Sequence, residues 1–270
     1  MNNRLRDAFD SPGFIAFLTG GDPTIEDTRR FIGVLARAGA SLVEIGIPFS
    51  DPIAEGPVIE QASARALDAG ATPEKIFGLV DLLRTEDHVS IPLALMTYLN
   101  PVHHYGYAAF FARAAQVGVD AIIIPDLPWE EQGEVRDVAT RFGVALISMI
   151  APTSATRVRQ IAREATGFIY LVSSLGVTGV RSSITTDIAS IVAEIRAATD
   201  VPVAVGFGIS TPEQAREMAA LADGVIVGSA IVSLIASHGA QADQAIDDYA
   251  RLMVAAVNEA APSHRPGTRP

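Results

Sequence analysis

The chain of 270 residues has no cysteine. That removes disulfides, thiolate metal sites and cysteine nucleophiles, and it fits a reducing cytoplasm, the compartment expected here. Lysine is nearly absent as well: Lys75 is the single one among twenty Lys and Arg residues. Any chemistry through a lysine Schiff base, pyridoxal phosphate catalysis included, would have to pass through Lys75. Because Lys75 follows Thr72-Pro73-Glu74, a helix start, it is expected to be a solvated first-turn residue. No apolar run is long enough to span a bilayer, and Met1 to Asp10 is amphipathic rather than a signal peptide. Positive charge is scarce, since 20 Lys and Arg against 31 Asp and Glu leave a net charge of −11. A polyanion needs a basic face, so nucleic acid is excluded as the main partner. A small phosphorylated metabolite is not excluded, because backbone N–H groups can hold one phosphate without any cation.

Apolar material is plentiful, with 49% of residues hydrophobic and 19% charged, and the length suits a single α/β barrel. Short runs rich in β-branched residues alternate with helical patterns. The runs are Phe14–Thr19, Leu42–Gly46, Leu93–Thr97, Ala121–Ile124, Ala145–Met149, Phe168–Val172, Val203–Val205 and Val225–Val227. Amphipathic stretches such as Glu26–Ala38, Ala108–Val117, Glu130–Arg141, Thr156–Arg163, Ile188–Ala197 and Pro212–Leu221 lie between them. Strand–helix alternation demands crossovers and therefore a parallel sheet. Eight units with strands apolar on both faces predict a closed (β/α)₈ TIM barrel rather than an open doubly wound sheet. The decorations are an N-terminal helix over Asn2–Phe9 plugging the barrel floor, extra helices after the second strand (Pro57–Ala69, Pro73–Arg84) and a terminal helix within Ile235–Ala261. Residues 1–261 form one barrel in this reading, and 262–270 a disordered tail.

Active sites of such barrels lie at the C-terminal ends of the strands. Glu44, in Ser-Leu-Val-Glu-Ile-Gly, is the most unusual residue there. It shares a strand face with Leu42 and Gly46, and no strand core carries an Arg or Lys to pair with it. Burial without a cationic partner raises a carboxylic acid towards the working range of a general acid/base. The bland alternative is a structural carboxylate bonded to barrel hydroxyls such as those of Tyr170 or Thr19. The next segment, Pro48 to Pro57, holds three prolines and a glycine and is a shaped loop. Its acids, Asp51 and Glu55, are either functional groups above the barrel mouth or caps for the helix that Pro57 begins. Asp126 follows the fourth strand, whereas Asp120 and Asp223 fall at strand beginnings and are read as structural.

Gly206-Phe207-Gly208-Ile209-Ser210 ends the seventh strand and Gly228-Ser229-Ala230 ends the eighth, each opening a helix. Glycines admit an anion to the backbone, and helix N-termini offer unpaired N–H groups with a positive dipole end. These two loops are the recurrent phosphate site of the fold. Ser173 to Gly179, after the sixth strand, is polar, Gly-rich and placed to close over the mouth. His103-His104 sit side by side in a loop without a spaced third ligand, so no metal site is read there. Trp129 opens a helix and is read as packing. No Ser-His-acid constellation is found.

The segment Leu42-Val43-Glu44-Ile45-Gly46-Ile47-Pro48-Phe49-Ser50-Asp51-Pro52-Ile53-Ala54-Glu55-Gly56-Pro57 resembles the signature of tryptophan synthase α subunits. The resemblance runs from about Phe14 to His238. It recurs in Phe17-Leu18-Thr19-Gly20-Gly21-Asp22-Pro23, Met96-Thr97-Tyr98-Leu99-Asn100-Pro101, Asp126-Leu127-Pro128, Gly176-Val177-Thr178-Gly179, the Gly206 block and Gly228-Ser229-Ala230-Ile231-Val232. It implies a lyase that cleaves indole-3-glycerol phosphate into indole and glyceraldehyde 3-phosphate in tryptophan biosynthesis. Indole would pass to a β subunit that makes L-tryptophan from L-serine, within an αββα heterotetramer. No cofactor or metal is implied in this chain, and pyridoxal phosphate is expected in the β partner only.

Carried over residue by residue, the resemblance makes Glu44 the acid/base at C3 of the indole ring and Glu55 the acid that polarises the indole N–H. Tyr170 lies near the glycerol chain, and Phe17, Met96 and Ile123 form the indole pocket. Thr178 and Gly179 belong to the closing loop. Gly179, Phe207, Gly208, Gly228 and Ser229 cradle the phosphate, and Asp51 communicates with the β subunit. One departure stands out: the family usually has Asp where this chain has Glu55. An extra methylene displaces the carboxylate oxygens, and misplacement of about 1 Å can cost on the order of a hundredfold in rate. The rival readings are a regulatory subunit that retains the barrel without catalysis, a stand-alone lyase that releases indole, and a phosphosugar isomerase on the same fold.

Overall fold

Among the described residues nine parallel strands make one sheet that nearly closes on itself. They are β1 (Gly13–Thr19), β2 (Leu42–Gly46), β3 (Leu93–Met96), β4 (Ala121–Ile123), β5 (Ala145–Leu146), β6 (Ser148–Ile150), β7 (Ile169–Val172), β8 (Val203–Gly206) and β9 (Gly224–Val227). The computed structural model describes residues 3–172, 184–206 and 208–260. Its helices are α1 (Asn3–Asp7), α2 (Ile25–Ala38), α3 (Pro57–Asp68), α4 (Pro73–Thr85), α5 (Leu99–Tyr105), α6 (Tyr107–Val117), α7 (Gly133–Phe142), α8 (Ala155–Glu164), α9 (Ile184–Arg196), α10 (Pro212–Ala219), α11 (Ser229–His238) and α12 (Asp243–Asn258). The strands run in the order β5-β4-β3-β2-β1-β9-β8-β7-β6. The two ends of that row, β5 and β6, are consecutive in the chain and separated by Ile147 alone. The expected fifth strand is thus present but divided. Its first half pairs with β4 and its second with β7, so the barrel closes through covalent continuity.

Two cores explain why the strands are apolar on both faces. Side chains at even positions of β1, namely Phe14, Ala16 and Leu18, join the layer between sheet and helices, while Ile15 and Phe17 point into the barrel. Leu42 on β2, Ala94 and Met96 on β3, and Ala121 and Ile123 on β4 fill the same interior. The alternation is that of a strand, with period two, and both sets are buried because helices cover the outside.

The floor is held by α1 and two acids. Leu5 and Phe9 enter the interior core, and the Phe9 ring lies 5.5 Å from that of Phe168, as a plug requires. Asp120 is buried and accepts from Arg4, Arg84 and the backbone N–H of Leu93 at 2.8, 2.6 and 2.8 Å. Asp223 accepts from Val203 N–H at 2.9 Å. Both acids act structurally, as their place at strand beginnings predicts.

Some local expectations need correction. His103 and His104 lie on α5 rather than in a loop. The helical pattern over Glu130–Arg141 is a 3₁₀ turn, Trp129–Glu131, followed by α7. The expected terminal helix is present as α12, starting at Asp243 after Gly239, at φ 55° and ψ −135°, has ended α11. The tail at 262–270 lies outside the described residues.

Candidate active site

Glu44 sits in the middle of β2 with Phe17 of β1 and Ala94 of β3 as its lateral neighbours. It is 0% exposed, and neither carboxyl oxygen has a hydrogen-bond partner among the described residues. The bland expectation, a carboxylate held by the hydroxyl of Tyr170 or Thr19, is therefore not met. Burial alone pushes its pKa up to about 8, because a low-dielectric interior disfavours the charged form. Near neutral pH the side chain is a carboxylic acid holding a proton. A buried acid with no structural bond to make costs stability, and such groups are concentrated at functional sites.

The barrel mouth around Glu44 is shaped by glycines. A Cβ on Gly46 would lie 2.9 Å from the Phe17 ring, and one on Gly206 would lie 2.6 Å from the Tyr170 hydroxyl. The two aromatic side chains can approach the backbone there because those positions carry no side chain. Phe17, Met96, Ile123 and Tyr170 are all buried and belong to the interior cluster. They surround the same space into which Glu44 faces. The Tyr170 hydroxyl is held well above its usual pKa, first by burial and then by the field of Glu44, so it remains a neutral donor.

Glu55 lies on the loop between β2 and α3 and is half-buried. It does not cap α3, whose N-cap Gly56 makes no side-chain capping bond. Its pKa is pushed up to about 7, chiefly by burial and slightly by Glu60, with the neighbouring Tyr98 hydroxyl acting to lower it. Tyr98 was not singled out by sequence reasoning. Its buried hydroxyl accepts from the backbone N–H groups of Ile53 and Ala54 at 3.2 and 3.0 Å, directly before Glu55. One phenol thus fixes two successive residues of the acid loop, next to Glu55. Asp126 supports it from behind: its carboxylate accepts from Leu99 N–H at 2.9 Å, satisfying the first turn of α5 directly after Tyr98. The role of Asp126 is therefore to position backbone. The exposed end of the same loop carries Asp51, bonded to Ser50, and Ile53 at 79% exposure.

The two expected phosphate loops differ in what they offer. The N-terminus of α10 is already satisfied by a capping box, in which Thr211 accepts from Gln214 N–H and Gln214 accepts from Ser210 and Thr211 N–H. That helix end is not free for an anion. The N-terminus of α11 is open: Gly228 is its N-cap, no side chain caps it, and Ser229 is exposed. Gly208 is exposed at φ +78°, and a Cβ there would meet nothing within 4 Å. Phe207, Thr178 and Gly179 lie outside the described residues, as does the rest of the expected closing loop.

Other candidates are absorbed structurally. The indole nitrogen of Trp129 donates to Glu164, and Lys75 donates to the Gly70 carbonyl beside the N-cap Thr72. Among the described residues no three His, Cys, Asp or Glu side chains are grouped to hold a metal.

Comparison with known proteins points to one family. The family model described as tryptophan synthase alpha chain matches residues 5–261. The tryptophan synthase alpha chain of Lactiplantibacillus plantarum is 53% identical over 89% of this chain and 90% of its own length. That of Geobacillus stearothermophilus is 44% identical over 94% and 96%. Among solved structures, tryptophan synthase subunit alpha from Legionella pneumophila superposes with a TM-score of 0.85 at 35% identity, covering 94% of this chain and 98% of that one. A tryptophan synthase complex from Pyrococcus furiosus gives 0.82 at 33% identity, covering 91% and 98%. The chain belongs to the tryptophan synthase alpha chain family.

Proposed function

We propose that Glu44 and Glu55 together carry the reaction of this family, the cleavage of indole-3-glycerol phosphate into indole and glyceraldehyde 3-phosphate. The observation that carries the assignment is the unpartnered, fully buried carboxyl of Glu44, protonated at neutral pH and facing an apolar pocket at the strand ends. The indole ring lies between Phe17, Met96 and Ile123. Glu44 donates its proton to ring carbon C3, giving an indoleninium cation, and Glu55 offsets the positive charge at the ring nitrogen. The bond from C3 to the glycerol carbon then breaks, and its electron pair returns to the ring as neutral indole. The hydroxyl on that glycerol carbon gives up its proton and becomes the aldehyde. Among the described interior residues, the carboxylate left on Glu44 is the base available to take that proton, which restores the starting state. Tyr170 lies alongside the glycerol chain.

The phosphate is bound by backbone N–H groups at Gly228 and Ser229, where α11 opens without a cap, and at Gly208. Phe207, Gly179 and Thr178 complete the cradle and the closing loop in this reading. Arginine side chains are not needed there, since a helix N-terminus alone favours an anion.

Alpha chains of this family work with β subunits. The loop carrying Asp51 and the exposed Ile53 is the face proposed to meet the β subunit, in an αββα assembly whose pyridoxal phosphate resides in the β chain. Among the described residues no helix is long and apolar enough to cross a membrane, and the assembly is assigned to the cytoplasm. The test is steady-state release of glyceraldehyde 3-phosphate by the purified chain, alone and with a β subunit. Turnover that rises when the β subunit is added is the expected result. No cleavage in either case, with β activity still stimulated, would make the chain a regulatory subunit.

A further inference from the structure

Thr19 is the last residue of β1, and like Ile15 and Phe17 it falls on the barrel-facing side of that strand. It is 1% exposed, and its hydroxyl has no hydrogen-bond partner among the described residues. Besides the two oxygens of Glu44, it is the one buried side-chain polar atom there without a partner. The two groups are close neighbours in the sheet. The register sets Phe17 beside Glu44 and Thr19 beside Gly46, so Thr19 stands one layer above Glu44, diagonally across the strand pair. Its lateral neighbour Gly46 has no side chain, and the next positions in that layer are Met96 and then Ile123. Thr19 therefore opens onto the space that Glu44 faces, at the same level as two residues of the proposed indole pocket.

A buried hydroxyl left unpaired destabilises the folded chain, and a threonine could be replaced there by an isosteric valine that also suits a strand. Nothing in the described fold uses the hydroxyl. An unpaired donor kept in a substrate pocket is explained if a ligand atom supplies the missing partner. The chemistry at that position is defined by Glu44: the carbon attached to ring C3, next to the acid, bears the hydroxyl that becomes the aldehyde.

We propose that Thr19 is a substrate-binding residue whose hydroxyl bonds to the substrate hydroxyl adjacent to the indole ring, holding it in register with Glu44. The inference rests on the reaction proposed above and names a recognition group for it. It also accounts for two polar side chains, Thr19 and Glu44, being left unpaired together at one place.

Two variants and the unsubstituted full chain, assayed with the β subunit, test this. Thr19→Val removes the hydroxyl and keeps the shape, Thr19→Ser keeps the hydroxyl, and the unsubstituted chain is the control. With indole-3-glycerol phosphate, kcat/KM of Thr19→Val should fall by about tenfold or more, and Thr19→Ser should recover most of it. With indole-3-propanol phosphate, which lacks the glycerol hydroxyls, the Kd of Thr19→Val should equal that of the control. Its thermal midpoint should be unchanged or higher, since a hydroxyl without a partner is lost. An equal loss of affinity for both ligands, or a lowered midpoint, would mean a packing or structural role and overturn the proposal. Unchanged cleavage by Thr19→Val beside an active control would overturn it too, leaving the roles of Glu44 and Glu55 intact. A control that does not cleave would instead bring down the reaction and, with it, this inference.

Discussion

At the scale of single residues, the proposed cleavage depends on two carboxylic acids whose surroundings shift them in the same direction. Burial carries Glu44 to about 8 and Glu55 to about 7. In the proposed reaction Glu44 is protonated and Glu55 ionised, so kcat/KM should rise through about pH 7 and fall through about pH 8. The two limbs lie about one pH unit apart, so the maximum is narrow. Stability has the opposite sign from that of a salt-bridged acid. Between the ordinary value of 4.5 and about 8, the folded chain binds more protons at Glu44 than the unfolded chain, so stability falls as pH rises through this window. Glu44→Gln should therefore match the parent in urea melts at pH 5 and exceed it at pH 8. A variant less stable at both would show that Glu44 has a structural partner. Glu55→Gln should be far more damaging to cleavage than Glu55→Asp, because charge at the ring nitrogen matters more than one methylene of reach. Steady-state rates for both, with saturating β subunit, check this; equal and small effects would place Glu55 outside the chemistry.

Elements rather than residues decide how Glu55 is placed. Its loop is held by Tyr98, and Tyr98 is set by a helix start that Asp126 caps from a different strand end. Tyr98→Phe keeps the ring in its contact with Phe49, 5.3 Å between centroids, but frees the two backbone N–H groups that hold the loop before Glu55. It should lower kcat by roughly tenfold to a hundredfold, since placement errors near 1 Å have that effect, and leave the thermal midpoint within a few degrees. A rate unchanged from the parent would mean that the loop is fixed by other contacts. This network was not legible in the sequence. Tyr98 and Asp126 are 28 positions apart, and α5 between the strands is only seven residues long, includes Pro101, and is capped by a residue outside itself. Local signals describe such a segment as a loop. Glu44, in contrast, was legible because an acid inside an apolar strand is anomalous on local grounds. The phosphate loops fall between these cases. Glycines at two helix starts were visible, but that Gln214 fills one of them and leaves the other open emerged only with the fold.

For the whole molecule, the eight-unit alternation read from hydrophobic runs gives the barrel, because period-two strands buried on both faces and amphipathic helices permit few other closures. What the alternation does not contain is how the ends meet. The division of the fifth strand at Ile147 follows from pairing with β4 on one side and β7 on the other, which is a property of the closed sheet. The floor is stabilised separately from the mouth. Asp120 ties α1, α4 and the starts of β3 and β4 together at the end opposite Glu44. Asp120→Ala should cost ~3–5 kcal/mol by leaving Arg84 and Leu93 N–H without their buried partner. Denaturant unfolding measures that loss, and kcat below the lowered midpoint should stay within about threefold. A large drop in kcat at intact fold would show that floor and mouth are coupled.

The claim on which the rest depends is that the Glu44 proton drives cleavage. The direct measurement is release of glyceraldehyde 3-phosphate by the parent chain and by Glu44→Gln, both saturated with β subunit, beside the Kd of each for indole-3-propanol phosphate. An amide keeps the volume of the side chain but cannot donate that proton. Turnover should fall by ~10²- to 10⁴-fold while the Kd stays the same. Turnover of Glu44→Gln within tenfold of the parent would contradict the account.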